Sequence, residues 1–335
     1  MALIEGFINL LSRLSIVYFF IGLGIIWRFS KYYEPKYGKW VTNMILWLFF
    51  PISIIGSFGS IKSLIGEEVL IVVLITLVTH FISFISIFLM NKRTYVTKPE
   101  ENGALVLCAT FPNALLFPFP IIYAIVGNIG IYYGAIFVFI AMALRNTFGV
   151  VLGIMYDPLK ETNLNLQKSK NLQIIKNNIL NLVKFPPFLA LFIGLFLYLF
   201  FGPESINNIP GFDFFKIISL YGSLLLIGIS FKELSQLHPR NALSKDVGKV
   251  FLTRFLIAPF FAILILIFLS SSPYLAIPLM IQSMAPSAIS NVLYAKYFNL
   301  DESKISLVVT FLTSLALIIL PFELFILLLF FPAEF

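Results

Sequence analysis

The sequence predicts an all-α membrane protein with ten transmembrane helices in two inverted five-helix repeats. Three observations support this fold class. The composition is strongly apolar, basic residues are concentrated in alternate loops, and two apolar segments are interrupted by proline at corresponding places in the two halves. Together they place the chain in a lipid bilayer.

The composition excludes a soluble globular protein. The 335 residues are 59% hydrophobic, include 38 phenylalanines and are only 12% charged, and the mean hydropathy is +0.97. A soluble chain needs far more polar residues to cover its core. The net charge of +7 does not indicate nucleic-acid binding, because the basic residues are scattered singly through short loops. The single cysteine, Cys108, excludes an internal disulfide.

Ten apolar segments approach or exceed the ~20 residues that cross a hydrocarbon core of ~30 Å. The first segment lacks a small-residue cleavage site, so it is read as a span and not as a signal peptide. The predicted spans cover residues 7–29, 41–58, 69–90, 104–127, 131–153, 179–201, 214–232, 247–269, 275–297 and 305–331.

Basic residues orient these spans. The loops after spans 1, 3, 5, 7 and 9 contain or are flanked by Lys and Arg, whereas the loops after spans 4, 6 and 8 contain neither. The loop after span 2 contains only Lys62. The positive-inside rule therefore predicts that both termini lie outside the cell, in the plasma membrane.

An odd number of spans in each half means that the second half inserts upside down relative to the first. The predicted units are residues 1–153, a short cytoplasmic connection at 154–178, and residues 179–335. A short similarity between Phe20-Ile21-Gly22-Leu23 and Phe192-Ile193-Gly194-Leu195 supports the repeat.

Spans 4 and 9 contain the proline interruptions. Proline removes a backbone N–H and opens a helix. The freed backbone groups must then be buried in protein or face a wet cavity, because lipid cannot satisfy them. A matched pair of interrupted helices indicates the binding site of a secondary transporter. The interruptions read Thr110-Phe111-Pro112-Asn113-Ala114-Leu115-Leu116-Phe117-Pro118-Phe119-Pro120 and Gln282-Ser283-Met284-Ala285-Pro286-Ser287-Ala288-Ile289-Ser290-Asn291.

These interruptions favour an anionic ligand. A helix that restarts after a break directs free N–H groups and the positive end of its dipole into the cavity. Two such ends favour a carboxylate, and Asn113 adds a donor and an acceptor. The alternative is that Asn113 only caps the restarted helix, since asparagine is a preferred cap.

The same segments resemble the signatures of the auxin efflux carrier family, which includes the plant PIN-type carriers and many prokaryotic relatives. Two positions depart from the family pattern: Pro118 stands where glycine is usual, and Asn291 replaces a proline of the plant sequences. The residues that carry the resemblance are Pro112–Pro120, Tyr123, Ala124 and Gly127 in span 4, Gln282, Pro286, Tyr294, Ala295, Lys296 and Asn299 in or just after span 9, and Phe50 and Pro51 in span 2.

The resemblance implies a PIN-like fold, similar to that of bile-acid transporters, in which the broken helices 4 and 9 cross near the membrane midplane. Spans 1, 2, 6 and 7 would form a scaffold, and spans 3–5 and 8–10 would form a transport domain that moves by an elevator mechanism. A homodimer is the implied assembly. The implied substrate is a small organic anion, either an auxin-like monocarboxylate or a dicarboxylate such as malate or malonate.

The candidate substrate-binding residues lie at the two interruptions and beside them. Arg145 is near the middle of span 5, where an arginine costs about 2.5–3.5 kcal/mol on insertion scales and therefore faces protein or water. It is a candidate counter-charge for an anion, and the alternative is snorkelling towards the cytoplasm. The full predicted set is Pro112, Asn113, Ala114, Leu115, Pro120, Arg145, Asn146, Gln282, Pro286, Ser287 and Asn291.

Four further polar residues within the spans are expected to support the fold and not to bind the substrate. Arg13, Arg254 and Glu323 are expected in ion pairs or at the membrane interface. His80 is expected as a neutral histidine that is hydrogen-bonded between helices, and a proton relay is the alternative.

The predicted function is a secondary transporter with no cofactor and no metal site. Proton coupling, sodium coupling and uniport all stay open, as do two rivals: a sodium-coupled symporter of the bile-acid type, and a membrane receptor or sensor that uses the same pocket. An enzyme is not expected, because the sequence has no P-loop, H-E-x-x-H or G-x-S-x-G motif. The expected partners are the anion, membrane lipid and a second copy of the chain.

Overall fold

A computed structural model describes residues 2–60, 66–94, 98–159, 173, 176–177, 180, 183–230 and 244–331. Throughout these ranges the chain forms helices and no β-strand, and the all-α prediction is confirmed. The connection predicted at 154–178 lies largely outside the described residues, although the helix that precedes it continues to Tyr156.

Twelve helices are labelled here in chain order. Eight of them are long and apolar enough to cross a membrane, and the other four are short. The helices are α1 (Ala2–Phe29), α2 (Pro35–Ser60), α3 (Glu67–Arg93), α4 (Pro99–Thr110), α5 (Pro118–Val126), α6 (Asn128–Tyr156), α7 (Pro186–Asn207), α8 (Phe212–Ser230), α9 (Lys245–Phe268), α10 (Pro273–Ser283), α11 (Asn291–Tyr297) and α12 (Glu302–Phe330).

The four short helices form two interrupted segments. The first broken segment consists of α4 and α5, and the second consists of α10 and α11. Both fall where the proline interruptions were predicted, in spans 4 and 9. The count of ten spans and the inverted repeat stay predictions.

Local chemistry, not the end of the apolar run, sets several helix boundaries. Pro35 and Pro99 begin α2 and α4, where the missing N–H is no loss because the first turn has no acceptor for it. The helices therefore start earlier than the predicted residues 41 and 104. Asp301 caps α12 by accepting a hydrogen bond from the Lys304 backbone N–H at 2.8 Å.

The helices pack as two groups. α1 packs along α8, and α2 packs against both α7 and α8, which makes the first group. The second group contains α3–α6 and α9–α12, and it meets the first mainly through α1 and α2. These are the same helices as the predicted scaffold and transport domain, whose roles stay predictions.

The second group is organised around α4 and α10. Residues 103–110 of α4 and 275–283 of α10 are all buried. A helix that is apolar and buried on every side lies in the centre of a bundle. Large apolar side chains on α7, such as Phe196, Leu199 and Phe200, are instead exposed, as expected for a surface that faces lipid.

Three long helices contain a single wider, π-helical turn. These turns are Ile45–Phe49 in α2, Arg145–Gly149 in α6 and Leu252–Ile257 in α9. Such turns are often found at functional sites. Two of the three contain an arginine.

Candidate functional site

The two broken segments cross and are joined by their backbones. The Asn113 N–H donates to the Pro286 carbonyl at 2.7 Å, and the Ala288 N–H donates to the Phe111 carbonyl at 3.1 Å. Pro112 and Ser287 therefore form an isolated antiparallel β-bridge. The crossing implied by the family resemblance is present, with its centre at this bridge.

Side chains of the second broken segment donate to carbonyls at the end of α4 and just after it. The Ser287 hydroxyl donates to the Cys108 carbonyl at 2.7 Å. The Asn291 amide donates to the carbonyls of Leu107 and Phe111 at 3.1 and 3.2 Å. Because both side chains are buried, these bonds replace water as the partners of the α4 C-terminus. Asn291 has a clear structural role.

Arg254 performs the corresponding task for the second broken segment. Its guanidinium group donates to the Ser283 carbonyl at 2.8 Å and to the Ala285 carbonyl at 2.9 and 3.0 Å. The side chain is only 1% exposed. The expectation of an ion pair or an interfacial position for Arg254 is therefore wrong, because α9 packs against α10 and carries this residue into the crossing.

Arg145 joins the two broken segments from the α6 side. Its Nη2 donates to the Pro112 carbonyl at 3.1 Å, and its Nη1 donates to the Ser290 hydroxyl at 2.5 Å. The guanidinium carbon lies 5.6 Å from the centre of the Phe111 ring. Arg145 thus points into the crossing and does not snorkel towards the cytoplasm.

Asn113 combines the two roles that the sequence left open. Its side-chain oxygen accepts a hydrogen bond from the Leu116 N–H at 3.3 Å, so the residue does cap the chain after the break. Its amide nitrogen is buried and has no partner within the described residues. A buried donor without an acceptor costs free energy, which makes this nitrogen a candidate contact for a ligand.

Other buried polar atoms around the crossing are also without partners in the described part of the chain. They are Thr110 Oγ1, Arg145 Nε, His80 Nε2 and Gln282 Oε1. His80 Nδ1 lies 2.7 Å from the Thr76 carbonyl and must carry the hydrogen, which leaves Nε2 as an acceptor. His80 is buried as expected, but its hydrogen bond is to Thr76 on the same helix, α3, and not to a neighbouring helix.

The remaining predicted site residues lie at different distances from the bridge. Ala114 donates its N–H to the Pro112 carbonyl at 3.0 Å. Asn146 accepts a hydrogen bond from the Tyr294 hydroxyl at 3.3 Å. Leu115 is half-buried beside Asn113.

Two predicted residues lie farther along the broken segments. Pro120 is buried in the first turn of α5. Gln282 is buried on α10, with its amide nitrogen 3.5 Å from the Gly134 carbonyl of α6. Within the described residues neither forms a hydrogen bond to the bridge residues, so both lie at the periphery of the crossing.

The helix ends make a smaller contribution than the sequence suggested. Two of the first three residues of α5 are Pro118 and Pro120, which have no N–H to offer. The other restarted helix, α11, has only seven residues, and a short helix carries a weak dipole. Positive charge at the crossing is therefore supplied mainly by the Arg145 and Arg254 guanidinium groups.

Three residues of this site were missed or misread from the sequence. They are Arg254, Ser290 and Tyr294, whose hydroxyl also donates to the Arg145 carbonyl at 3.1 Å. The available signal for Arg254 was a charge inside an apolar span, which by default marks a functional site.

A family model described as Membrane transport protein matches residues 10–324, nearly the whole chain. The chain belongs to this family, the auxin efflux carrier family. It is therefore an integral membrane protein of a transporter family, and the resemblance drawn from the two interruptions is confirmed. No curated protein matches the chain.

Two further charged residues within the spans, Arg13 and Glu323, form no hydrogen bond to the crossing that is seen in the described part of the chain. Arg13 of α1 donates to the Ala124 and Ile125 carbonyls in the last turn of α5, at 3.3 and 3.1 Å. It lines a cavity of about 350 Å³ between the two helix groups. One carboxylate oxygen of Glu323 is buried and has no partner among the described residues.

Proposed function

We propose that this member of the auxin efflux carrier family is a secondary transporter that carries a small organic anion bound at the crossing of the two broken segments. One observation carries the proposal. Two guanidinium groups, those of Arg145 and Arg254, lie at the crossing, and no carboxylate of the described residues forms an ion pair with either.

A buried positive charge is costly unless it is paired or hydrogen-bonded. Carbonyl dipoles offset part of this cost for both arginines, but they supply no counter-charge. A carboxylate ligand would supply it. The free Asn113 amide nitrogen and the free Arg145 Nε would add two donors, which suits the acceptor-only chemistry of an ionised carboxylate. Mono- and dicarboxylates both satisfy this requirement.

Alternating access by an elevator motion fits the way the helices are joined. Among the described residues, the hydrogen bonds that build the crossing all lie within the second group, from α4, α6, α9, α10 and α11. The site would therefore travel as one unit with that group.

The boundary between the two groups is held differently. It contains aromatic contacts such as Phe50 with Phe119, Phe58 with Tyr132, and Phe139 with Phe188, whose ring centres are 5.7, 5.5 and 4.8 Å apart. Apolar packing is non-directional, so these contacts can re-form after a displacement, whereas the hydrogen bonds that Arg13 and Tyr18 of α1 make across the boundary would have to break. The first group would then be the scaffold, and a homodimer with both termini outside the plasma membrane completes the proposal.

A thermal-shift comparison of carboxylates with their neutral amides tests the proposed ligand chemistry. Malonate is compared with malonamide, and indole acetate with indole acetamide, on the purified protein. A ligand at 100 times its Kd stabilises the folded state by about 2.7 kcal/mol. We expect at least one carboxylate to raise the unfolding temperature and its amide not to do so. Equal stabilisation by acid and amide would contradict recognition of charge.

A further inference from the structure

A second cavity lies between α1 and α12, on the opposite side of α1 from the Arg13 contact. Its volume is about 470 Å³. The residues that matter for its chemistry are Tyr18, Gly22 and Ile25 on α1, and Ser314, Leu317 and Ile318 on α12. These positions fall in the central turns of two membrane-spanning helices, at the depth of the hydrocarbon core.

The cavity wall offers water only two hydroxyl oxygens as acceptors, because both hydroxyl hydrogens are already used. The Tyr18 hydroxyl donates to the Leu317 carbonyl at 2.6 Å, and the Ser314 hydroxyl donates to the Thr310 carbonyl at 3.0 Å. The other lining side chains are apolar. A buried water needs two to four polar partners, and a space of this size would require many of them. The occupant must therefore be apolar.

The groove is open towards the membrane. Ile318 on its rim is 68% exposed, and the space beside Gly22 is empty, since a Cβ added there would have no atom within 4 Å. In the bilayer, the apolar molecules at this depth are the acyl chains of phospholipids.

In the other half of the predicted repeat, aromatic side chains pack at the corresponding positions. Gly194 occupies the position of Gly22 in the predicted repeat, and it packs directly on the Phe58 ring. The α6–α7 contact, which corresponds to α1–α12, contains a stacked pair of rings, Phe139 and Phe188, with centres 4.8 Å apart.

We propose that this groove binds one acyl chain of a membrane phospholipid. The acyl chain would lie between α1 of the first group and α12 of the second. The site is separate from the crossing, so the proposal does not depend on the identity of the transported anion.

The test uses the full-length protein in phosphatidylcholine nanodiscs that contain a small share of phosphatidylcholine with a diazirine in one acyl chain. After illumination, labelled peptides are identified by mass spectrometry. We expect labelling of the α1 and α12 groove residues to exceed labelling of the lipid-facing residues Phe196, Leu199 and Phe200 on α7.

Gly22→Leu fills the groove, and leucine is a better helix former than glycine, so folding should be retained. We expect this variant to lose the excess labelling. Gly248→Leu is the matched control, because Gly248 also has open space around it but lies outside the groove. Ile318→Trp, which covers the groove from its lipid side, is a second variant if Gly22→Leu does not fold.

Two results would overturn the proposal. The first is wild-type labelling of the groove that does not exceed that of the α7 surface, which would mean ordinary contact with bulk lipid or coverage by a second copy of the chain. The second is excess labelling that persists in both the Gly22→Leu and Ile318→Trp variants.

Discussion

Asn113 shows how one side chain can serve the fold and the ligand at once. Its oxygen is used by the Leu116 N–H, whereas its nitrogen is buried and free. The two roles are separable by mutation, because aspartate keeps an oxygen acceptor for the cap but replaces the donor with a negative oxygen.

Asn113→Asp should therefore fold like the wild-type protein and bind carboxylates at least tenfold more weakly. The loss of one hydrogen bond to a charged group costs about 1.5–3 kcal/mol, which corresponds to a ten- to hundredfold change in affinity. Affinity is measured by thermal shift over a ligand titration, with Asn113→Ala as the variant that loses cap and donor together. Wild-type affinity in a stable Asn113→Asp protein would show that Asn113 only caps the chain after the break and does not bind the ligand.

Arg145 allows the charge of the substrate to be tested. If its guanidinium group faces the anion, the Coulomb energy scales with the charge of the ligand. Arg145→Gln should then weaken binding of malonate more than binding of a monocarboxylate such as indole acetate. Arg145→Lys, which keeps the charge, is the control. Equal losses for both ligands in Arg145→Gln would instead indicate that Arg145 only supports the packing of the crossing.

The prolines, Asn113 and Arg145 could be selected from the sequence because their signals are local: a helix breaker or a charge within an apolar run. Arg254 carries the same signal, a charge within an apolar run, but its bonding partners could not be predicted from it. Which carbonyls a buried guanidinium group meets depends on how α9 packs against α10, and no local pattern specifies that contact. The same holds for the Ser287 and Asn291 bonds to α4.

At the scale of helices, a proline inside a helix leaves the carbonyl four residues earlier without its N–H donor. A neighbouring helix must then supply the donor. Pro321 lies inside α12 and has no N–H for the carbonyl of Leu317, four residues earlier. Tyr18 of α1 donates to that carbonyl. A bond made in this way ties a helix of the first group to a helix of the second.

Tyr18→Phe should destabilise the protein by about 1–3 kcal/mol, the cost of a buried carbonyl left without a partner. Leu317 is only 5% exposed, so water cannot readily replace the hydroxyl. The measurement is the denaturant midpoint in detergent micelles. Tyr274→Phe is the control, since Tyr274 is 56% exposed and no hydrogen bond of its hydroxyl is found in the described chain. Equal stability of the two variants would show that the hydrogen bond from Tyr18 to Leu317 does not stabilise the protein.

Helix positions were well predicted from hydropathy and helix boundaries less well. The broken segments lie where the prolines place them, but α2 and α4 begin several residues before their apolar runs, because Pro35 and Pro99 start them. The π-helical turns around Arg145 and Arg254 had no signature in the sequence, because they depend on how neighbouring helices pack against each other.

For the whole molecule, the proposed orientation follows from loop charge alone and can be tested directly. Cysteines are introduced singly at Thr94 and Ser244, which are predicted to be cytoplasmic, and at Asn208 and Ser272, which are predicted to be outside. Cys108 is buried, so its background labelling should be low. With an impermeant thiol reagent on intact cells, the second pair should label and the first should not. The reverse pattern would overturn the topology and, if only one half reverses, the inverted repeat.

The family and the geometry of the crossing together favour transport over sensing. A receptor would need the pocket but not a second, matched break, nor a boundary between two helix groups held partly by aromatic packing. A carrier moves its ligand across the membrane and a receptor only binds it. The two are therefore best distinguished by measuring exchange of substrate across a membrane.

Counterflow in proteoliposomes is the measurement that tests the central claim most directly. Vesicles containing the protein are loaded with an unlabelled carboxylate selected by thermal shift, and entry of the radiolabelled carboxylate is followed. A carrier that works by alternating access returns with a bound substrate, so we predict that internal carboxylate accelerates entry and that entry saturates. Binding of the carboxylate without any counterflow, under conditions where the protein remains folded, would contradict the account.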